Sequence, residues 1–261
     1  MKPSALIIFG STSSIAKIVV PELGFTPSKT YFINRCSKNN KTINYDKNNN
    51  QVMLNFHDVS ILENQIVNVF RKFHNEPVAV INFLGNFGSI ENLVNLDVSS
   101  ALETNRQNLL PFLLIAKLAK NLSAGSLVIS FSGAGVGGSN LDDSSLGYLS
   151  AKASMSVLVE NLDRQLAELK IRIGLVSPGA FQSPMQRAVA RASAIDIPIA
   201  RINKAKQIEN ELPSPEKLIA LLKYLIENPK SLGGRCWSAN FDTLGFEDKS
   251  TEFGRMRRTH H

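Results

Sequence analysis

Cysteine is scarce. Of 261 residues only 2 are Cys, Cys36 and Cys236, which stand far apart with no C-x-x-C spacing and no neighbouring histidine. That leaves no basis for a disulfide framework or a zinc site and fits a reduced, cytoplasmic protein. Long hydrophobic runs are also missing. The N-terminal stretch Ala5 to Phe9 is apolar but is broken at Gly10, too short for a secretory leader or a membrane span. Lys and Arg (29) outnumber Asp and Glu (22), giving a formal charge of +7. The basic residues are scattered, with no cationic helix stripe and no interleaved aromatics, so the excess does not point to nucleic acid. His57, His74 and the terminal pair His260 and His261 are scattered along the chain, and no catalytic role is expected for them.

With 43% hydrophobic residues, the chain can build one sizeable core. A single domain over residues 1–255 is expected, followed by a basic tail at 256–261. Apolar runs bounded by Gly, Pro and Asn alternate with helical patterns, as in βαβ units and a parallel sheet. The expected strands are Ala5 to Phe9, Thr30 to Asn34, Val52 to Phe56, Val78 to Phe83, Leu127 to Phe131, Ile171 to Ser177 and Arg235 to Ala239. Most are apolar throughout, which suits strands covered on both faces. The fold class is therefore α/β, a single-domain Rossmann fold whose doubly wound parallel sheet has about seven strands. Helices are expected over Ser99 to Asn121, Tyr148 to Lys170 and Pro215 to Glu227. Pro111 cannot donate to the carbonyl four residues earlier, so the first of these is expected to kink or break there. The polar stretch Asn39 to Asn50 reads as an exposed loop.

Three local patterns suggest chemistry. The first strand ends in Phe9-Gly10-Ser11-Thr12-Ser13-Ser14-Ile15-Ala16, small residues that let backbone N–H groups approach a pyrophosphate at a helix start; an ordinary tight turn would use the same residues. The second strand ends in Asn34-Arg35. An acidic residue there would hold a ribose 2′-hydroxyl, whereas an Arg accommodates a 2′-phosphate, so NADP is favoured, with NAD as the alternative if Arg35 is only a solvated surface charge. Tyr148 precedes Lys152 by four residues, which puts both on one helix face. A phenol titrates near pH ~10, and a neighbouring ammonium favours its ionised form, making the pair a tuned acid or base.

Seven segments, met in order between about residues 4 and 185, resemble the short-chain dehydrogenase/reductase family. They are the turn at Gly10, Asp58-Val59, Asn82-Phe83-Leu84-Gly85, Glu103-Thr104-Asn105, Ser132, Tyr148-Leu-Ser-Ala-Lys152, and Pro178-Gly179-Ala-Phe181-Gln-Ser183-Pro-Met185. The resemblance implies that Tyr148 exchanges a proton with the substrate oxygen, that Lys152 lowers the tyrosine pKa and binds the nicotinamide ribose, and that Ser132 holds the carbonyl oxygen. It implies that Asn105 anchors a water in a proton relay, with Asn108 one turn on as the competing residue. Gly10, Thr12, Ser13, Ser14, Ile15, Asn34, Arg35, Asp58, Val59, Asn82, Phe83, Leu84, Gly85, Pro178, Gly179, Phe181 and Ser183 would join Tyr148 and Lys152 around the cofactor. A homodimer or homotetramer is implied as well.

The sequence departs from the family pattern at Ser14 and Ala16, where glycines are usual, and at Phe83, where a second asparagine is usual. These changes raise an alternative, a dinucleotide-binding regulator that has lost turnover. The loop from Gly133 to Gly147 is longer than usual and is expected to shape the substrate mouth. The substrate segment, 183–212, carries Arg187, Arg191, Arg201, Lys204 and Lys206 against Asp196, Glu209 and Glu211. It suits an anionic small molecule such as a nucleotide-linked keto sugar, although a solvated helical face would look the same. Ile129-Ser-Phe-Ser-Gly-Ala-Gly and Leu232-Gly-Gly-Arg-Cys-Trp-Ser-Ala-Asn-Phe-Asp are also similar to family members linked to surface-polysaccharide synthesis.

Overall fold

The computed structural model describes residues 2–35, 45–46, 50–54, 58–91, 93–133, 145–179, 183–193, 199–211, 214–240 and 242. Cys36, His57, Phe181, Asp196, most of the 39–50 stretch, the centre of the 133–147 loop and the basic tail lie outside these residues. Element order is β1 (Ala5–Phe9), α1 (Ser14–Val19), β2 (Thr30–Arg35), β3 (Tyr45–Asp46), β4 (Gln51–Leu54), α2 (Val59–Arg71), β5 (Val78–Asn82), α3 (Val98–Leu118), β6 (Leu127–Phe131), α4 (Leu146–Ala167), β7 (Arg172–Ser177), α5 (Pro184–Ala190), α6 (Ile199–Glu211), α7 (Glu216–Glu227), α8 (Pro229–Leu232) and β8 (Cys236–Ser238).

The strands form one sheet in the order β3-β4-β2-β1-β5-β6-β7-β8. All pairings are parallel except that of the two-residue edge strand β3 with β4. The expected parallel sheet of seven strands is thus present, with β3 as a short antiparallel addition. Strands β1, β5 and β6 are buried at every position, because apolar layers cover both faces. One layer packs Ile7, Val80 and Val128 against Leu62 and Ile66 of α2, Phe112 and Ile115 of α3, and Met155 and Val159 of α4. The other packs Leu6, Ile8 and Ile81 against Ala16 and Val19 of α1 and Leu218, Leu222 and Leu225 of α7.

Strand order reverses at β1, which pairs with β2 on one side and β5 on the other. Ligands of open α/β sheets bind outside the carboxyl ends of the strands at such a switch point. Gly10 follows β1 there with φ +79, and a Cβ would lie 3.0 Å from the Leu84 nitrogen and 3.1 Å from the Phe83 carbonyl carbon. Both the left-handed backbone and the close approach of the loop after β5 require glycine.

Two helix expectations change. α3 runs from Val98 to Leu118 as one helix that includes Pro111, so no break occurs; Pro111 and Phe112 are buried in the core, and that packing outweighs the missing backbone bond. α2, absent from the sequence expectations, is capped by Asp58 and buries Leu62, Ile66, Val69 and Phe70 on one face. Their three- and four-residue spacing carried the signal.

Candidate active site

The site lies at the carboxyl ends of β1, β5, β6 and β7, where α4 delivers two side chains. Tyr148 and Lys152 are both buried, the lysine to 4% exposure. The Lys152 ammonium lies 5.5 Å from the centroid of the Tyr148 ring, close enough for the cation to feel the ring and its hydroxyl. Nζ donates to the Phe131 carbonyl oxygen at 2.7 Å, tethering α4 to the end of β6. Burial lowers the Lys152 pKa from its ordinary 10.5 to about 8, since the interior disfavours a charge.

Gly133, just after β6, makes room for this pair. A Cβ there would lie 2.7 Å from the Tyr148 hydroxyl oxygen and 3.1 Å from Lys152 Cγ. Phe87 meets the Tyr148 ring edge-on at 5.2 Å. Tyr148 and Phe87 in turn pack with Val189 and Ala190 of α5 and Ile202 and Ala205 of α6. The substrate segment therefore closes over the tyrosine with its apolar side, while Arg187, Arg191, Lys204 and Lys206 face solvent.

Ser132 is buried, and its Oγ accepts from the Cys236 thiol at 3.3 Å. A hydroxyl used as an acceptor keeps its own proton to donate. The sequence gives Cys236 no role at the site; the pairing of β8 beside β7 brings it here. On the same sheet face, Asn82 Nδ2 donates to Ser130 Oγ at 3.3 Å and Asn82 Oδ1 accepts from the Leu84 amide at 3.1 Å, so Asn82 shapes the loop after β5.

The two helix asparagines separate. Asn105 donates to Ser150 Oγ at 2.7 Å. Ser150 is two residues from both Tyr148 and Lys152, about 200° around the helix, so Asn105 meets α4 away from the pair. Asn108 is buried. Its Nδ2 donates to the Asn86 carbonyl at 2.6 Å and the Thr104 carbonyl at 2.8 Å, while its Oδ1 accepts from the Asn86 amide at 3.1 Å. The structure thus builds Asn108, not the Asn105 favoured by its Glu-Thr-Asn context, into the loop after β5.

Around the switch point, Ser13 caps α1 by accepting from the Ala16 amide at 3.1 Å. The amides of Ser14 and Ile15 open that helix without partners inside it. Ala16 is buried against the sheet, which is the close helix–strand packing a glycine would allow. Thr12 is exposed and Ile15 half-buried. Phe83 stacks on Phe131 at 4.7 Å and so fills scaffold between β5 and β6. Asn34 is buried and exchanges hydrogen bonds with Ser11 Oγ at 2.9 and 3.1 Å, whereas Arg35 is exposed and donates to Gln107 Oε1 at 3.1 Å. Asp58 Oδ1 accepts from the amides of Ser60 and Ile61, both at 3.1 Å, and from Ser60 Oγ at 2.8 Å. The Ile61 amide first, then the Ser60 hydroxyl, hold its carboxyl below the usual range; Val59 begins the helix that it caps. Pro178 and Gly179 follow β7, Gly179 at φ +81, and Ser183 caps α5 by accepting from the Gln186 amide at 3.2 Å.

Residues 4–194 match the family model for short chain dehydrogenase. The chain belongs to the short-chain dehydrogenase family. No curated protein matches it, but solved structures of the same fold do. A short chain dehydrogenase/reductase from Saccharomyces cerevisiae is 17% identical, with 91% of this chain and 96% of that one covered at a TM-score of 0.71. A short chain dehydrogenase from Burkholderia cenocepacia in complex with NADP is 15% identical, with coverages of 91% and 98% and a TM-score of 0.66. Aldohexose dehydrogenase from Thermoplasma acidophilum is 15% identical, with coverages of 93% and 96% and a TM-score of 0.67. As a short-chain dehydrogenase this protein is an oxidoreductase. Among the described residues no helix is long and apolar enough to cross a membrane.

Proposed function

We propose that this short-chain dehydrogenase uses NADPH to reduce a carbonyl on a small anionic molecule, or oxidises the corresponding alcohol. One observation carries the reading: a buried lysine with its pKa lowered to about 8 beside a tyrosine whose hydroxyl lies only 2.7 Å from where a Cβ of residue 133 would stand. The surrounding donors suit a phosphate-rich dinucleotide: the α1 amides behind Gly10, the Arg35 guanidinium and the Lys152 ammonium. When bound, the nicotinamide supplies or accepts the hydride.

The chain's own residues handle the proton. In reduction, Ser132 donates a hydrogen bond to the substrate oxygen as negative charge builds there. Tyr148 gives that oxygen its proton, and the Lys152 ammonium stabilises the phenolate left behind. Asn108, fixed to the Asn86 backbone, takes the relay role, holding a water through which the proton is restored. Asn34 in place of an acidic residue, followed by Arg35, supports NADP over NAD. The regulator alternative rests on Ser14, Ala16 and Phe83, yet Ala16 and Phe83 are packed into the core, where they support the turn. The surplus of lysine and arginine in the sequence of 183–212 favours an anionic substrate, with nucleotide-linked keto sugars, including those used in surface polysaccharides, the first to try.

The test is fluorescence titration with NADPH and NADH, followed by NADPH absorbance against a carbonyl panel that includes nucleotide-linked keto sugars. Binding of NADPH with turnover that Tyr148→Phe abolishes is the expected result. Turnover unaffected by Tyr148→Phe refutes the mechanism, and biological output that survives this change with cofactor binding intact favours the regulator.

A further inference from the structure

Gln107 of α3 joins three side chains beside the end of β2. Its Nε2 donates to Glu103 Oε1 at 2.9 Å. A carboxylate can only accept, so this bond fixes which end of the amide is which. The amide oxygen accepts from Arg35 at 3.1 Å and from Asn86 Nδ2 at 2.8 Å, using both of its lone pairs. The next residue, Asn108, takes the Asn86 amide and carbonyl. Two consecutive residues of α3 therefore grip Asn86, one by its side chain and one by its backbone, and the first of them also reaches Arg35. The contact occupies one donor of a guanidinium that has five, leaving its fork to pair with a phosphate.

We propose that Gln107 is a positioning residue for cofactor choice: it holds the Arg35 guanidinium ready for the 2′-phosphate of NADPH. The proposal rests on the assignment of Arg35 as the 2′-phosphate ligand. An exposed arginine loses rotamer freedom when it grips an anion, and a neighbour that restrains it beforehand lowers that loss. Immobilising one such side chain corresponds to about three- to tenfold in affinity. NADH has no 2′-phosphate and gains nothing from the restraint.

The experiment measures NADPH and NADH dissociation constants by fluorescence titration for the full chain and for Gln107→Leu, Arg35→Ala and the double variant. Gln107→Leu should weaken NADPH by about three- to tenfold and NADH by less than about twofold, and it should have no further effect once Arg35 is Ala. Gln107→Glu keeps the size and adds a carboxylate that holds Arg35 while repelling the 2′-phosphate, so NADPH should weaken more than with Leu. Equal losses for both cofactors, or additive effects in the double variant, overturn the role of Gln107. A lower melting temperature with an unchanged NADPH to NADH ratio overturns it too, since the bridge would then only tie β2 to α3. If NADPH binds tightly and Arg35→Ala leaves that ratio unchanged, the assignment of Arg35 fails and the proposal fails with it.

Discussion

Lys152 holds its ammonium inside the protein, and burial moves its pKa from 10.5 to about 8. Between those values the unfolded chain binds a proton that the folded chain has released, so stability rises with pH across this window. Below about pH 8 the folded state carries the full penalty of burying the charge, about 3 kcal/mol. Lys152→Met should therefore raise the melting temperature at neutral pH while abolishing turnover. The gain is reduced by about 1 kcal/mol for the hydrogen bond that Phe131 loses. Thermal denaturation from about pH 7 to about pH 10 should show the advantage shrinking as the wild-type lysine neutralises; a constant difference would contradict the burial argument. Gly133→Ala is the steric counterpart. Its methyl meets the Tyr148 hydroxyl, so turnover should fall at least about tenfold, part of the roughly 10²–10⁴-fold that a positioned proton donor contributes. NADPH affinity should fall as well, because the same methyl would stand 3.1 Å from Cγ of Lys152, whose ammonium is among the proposed cofactor donors. At this scale the sequence order of Tyr148, Lys152 and Ser132 was informative, since each is tied to a strand end or helix face. The choice between Asn105 and Asn108 was not, because both lie on α3 one turn apart and only packing against Asn86 and Ser150 separates them.

Helix α4 is held at both ends, and its far end offers a separate test. Asp163 is buried and receives Arg172 through two bonds, Nε at 2.9 Å and Nη2 at 2.6 Å, together with the Ile173 amide at 3.0 Å. The contact ties the last turns of α4 to the start of β7, and α4 is the element that carries the tyrosine and lysine. Asp163→Ala leaves a guanidinium and an amide without their acceptor; because Arg172 reaches solvent, the loss should be about 2–4 kcal/mol, at the low end for broken buried pairs. Calorimetry should record a fall of about 4–16 °C in melting temperature, and an unchanged transition would show that the pair adds nothing. Strands were legible at this scale because burial on both faces demands unbroken apolar runs, as in Ile7, Ile8 and Phe9. Pro111 misled because a local rule about one hydrogen bond was outweighed by the burial of Phe112, Leu114 and Ile115 on the same helix.

For the molecule as a whole, the outer faces of α3 and α4 remain conspicuously apolar. Val98, Leu102 and Val157 are 60%, 67% and 71% exposed. Homo-oligomer formation through these helices is the proposal that accounts for them. Light scattering coupled to size-exclusion chromatography should give a dimer or tetramer that Val157→Glu converts to monomer; a monomeric wild type would refute it. A cavity of about 370 Å³ lies at the opposite end of the sheet, lined by Lys2, Leu23, Lys29, Lys223 and Glu227, away from Tyr148 and Lys152. Sequence by itself determined the α/β class, the parallel sheet and the Tyr148–Lys152 pair, because strand burial and helix periodicity are properties of neighbours along the chain. Tertiary structure alone decided that Asn108 rather than Asn105 enters the loop, that Cys236 meets Ser132, and that Gln107 reaches Arg35. Those contacts join segments far apart in sequence, and the sheet order and helix packing that bring them together leave no mark in local spacing.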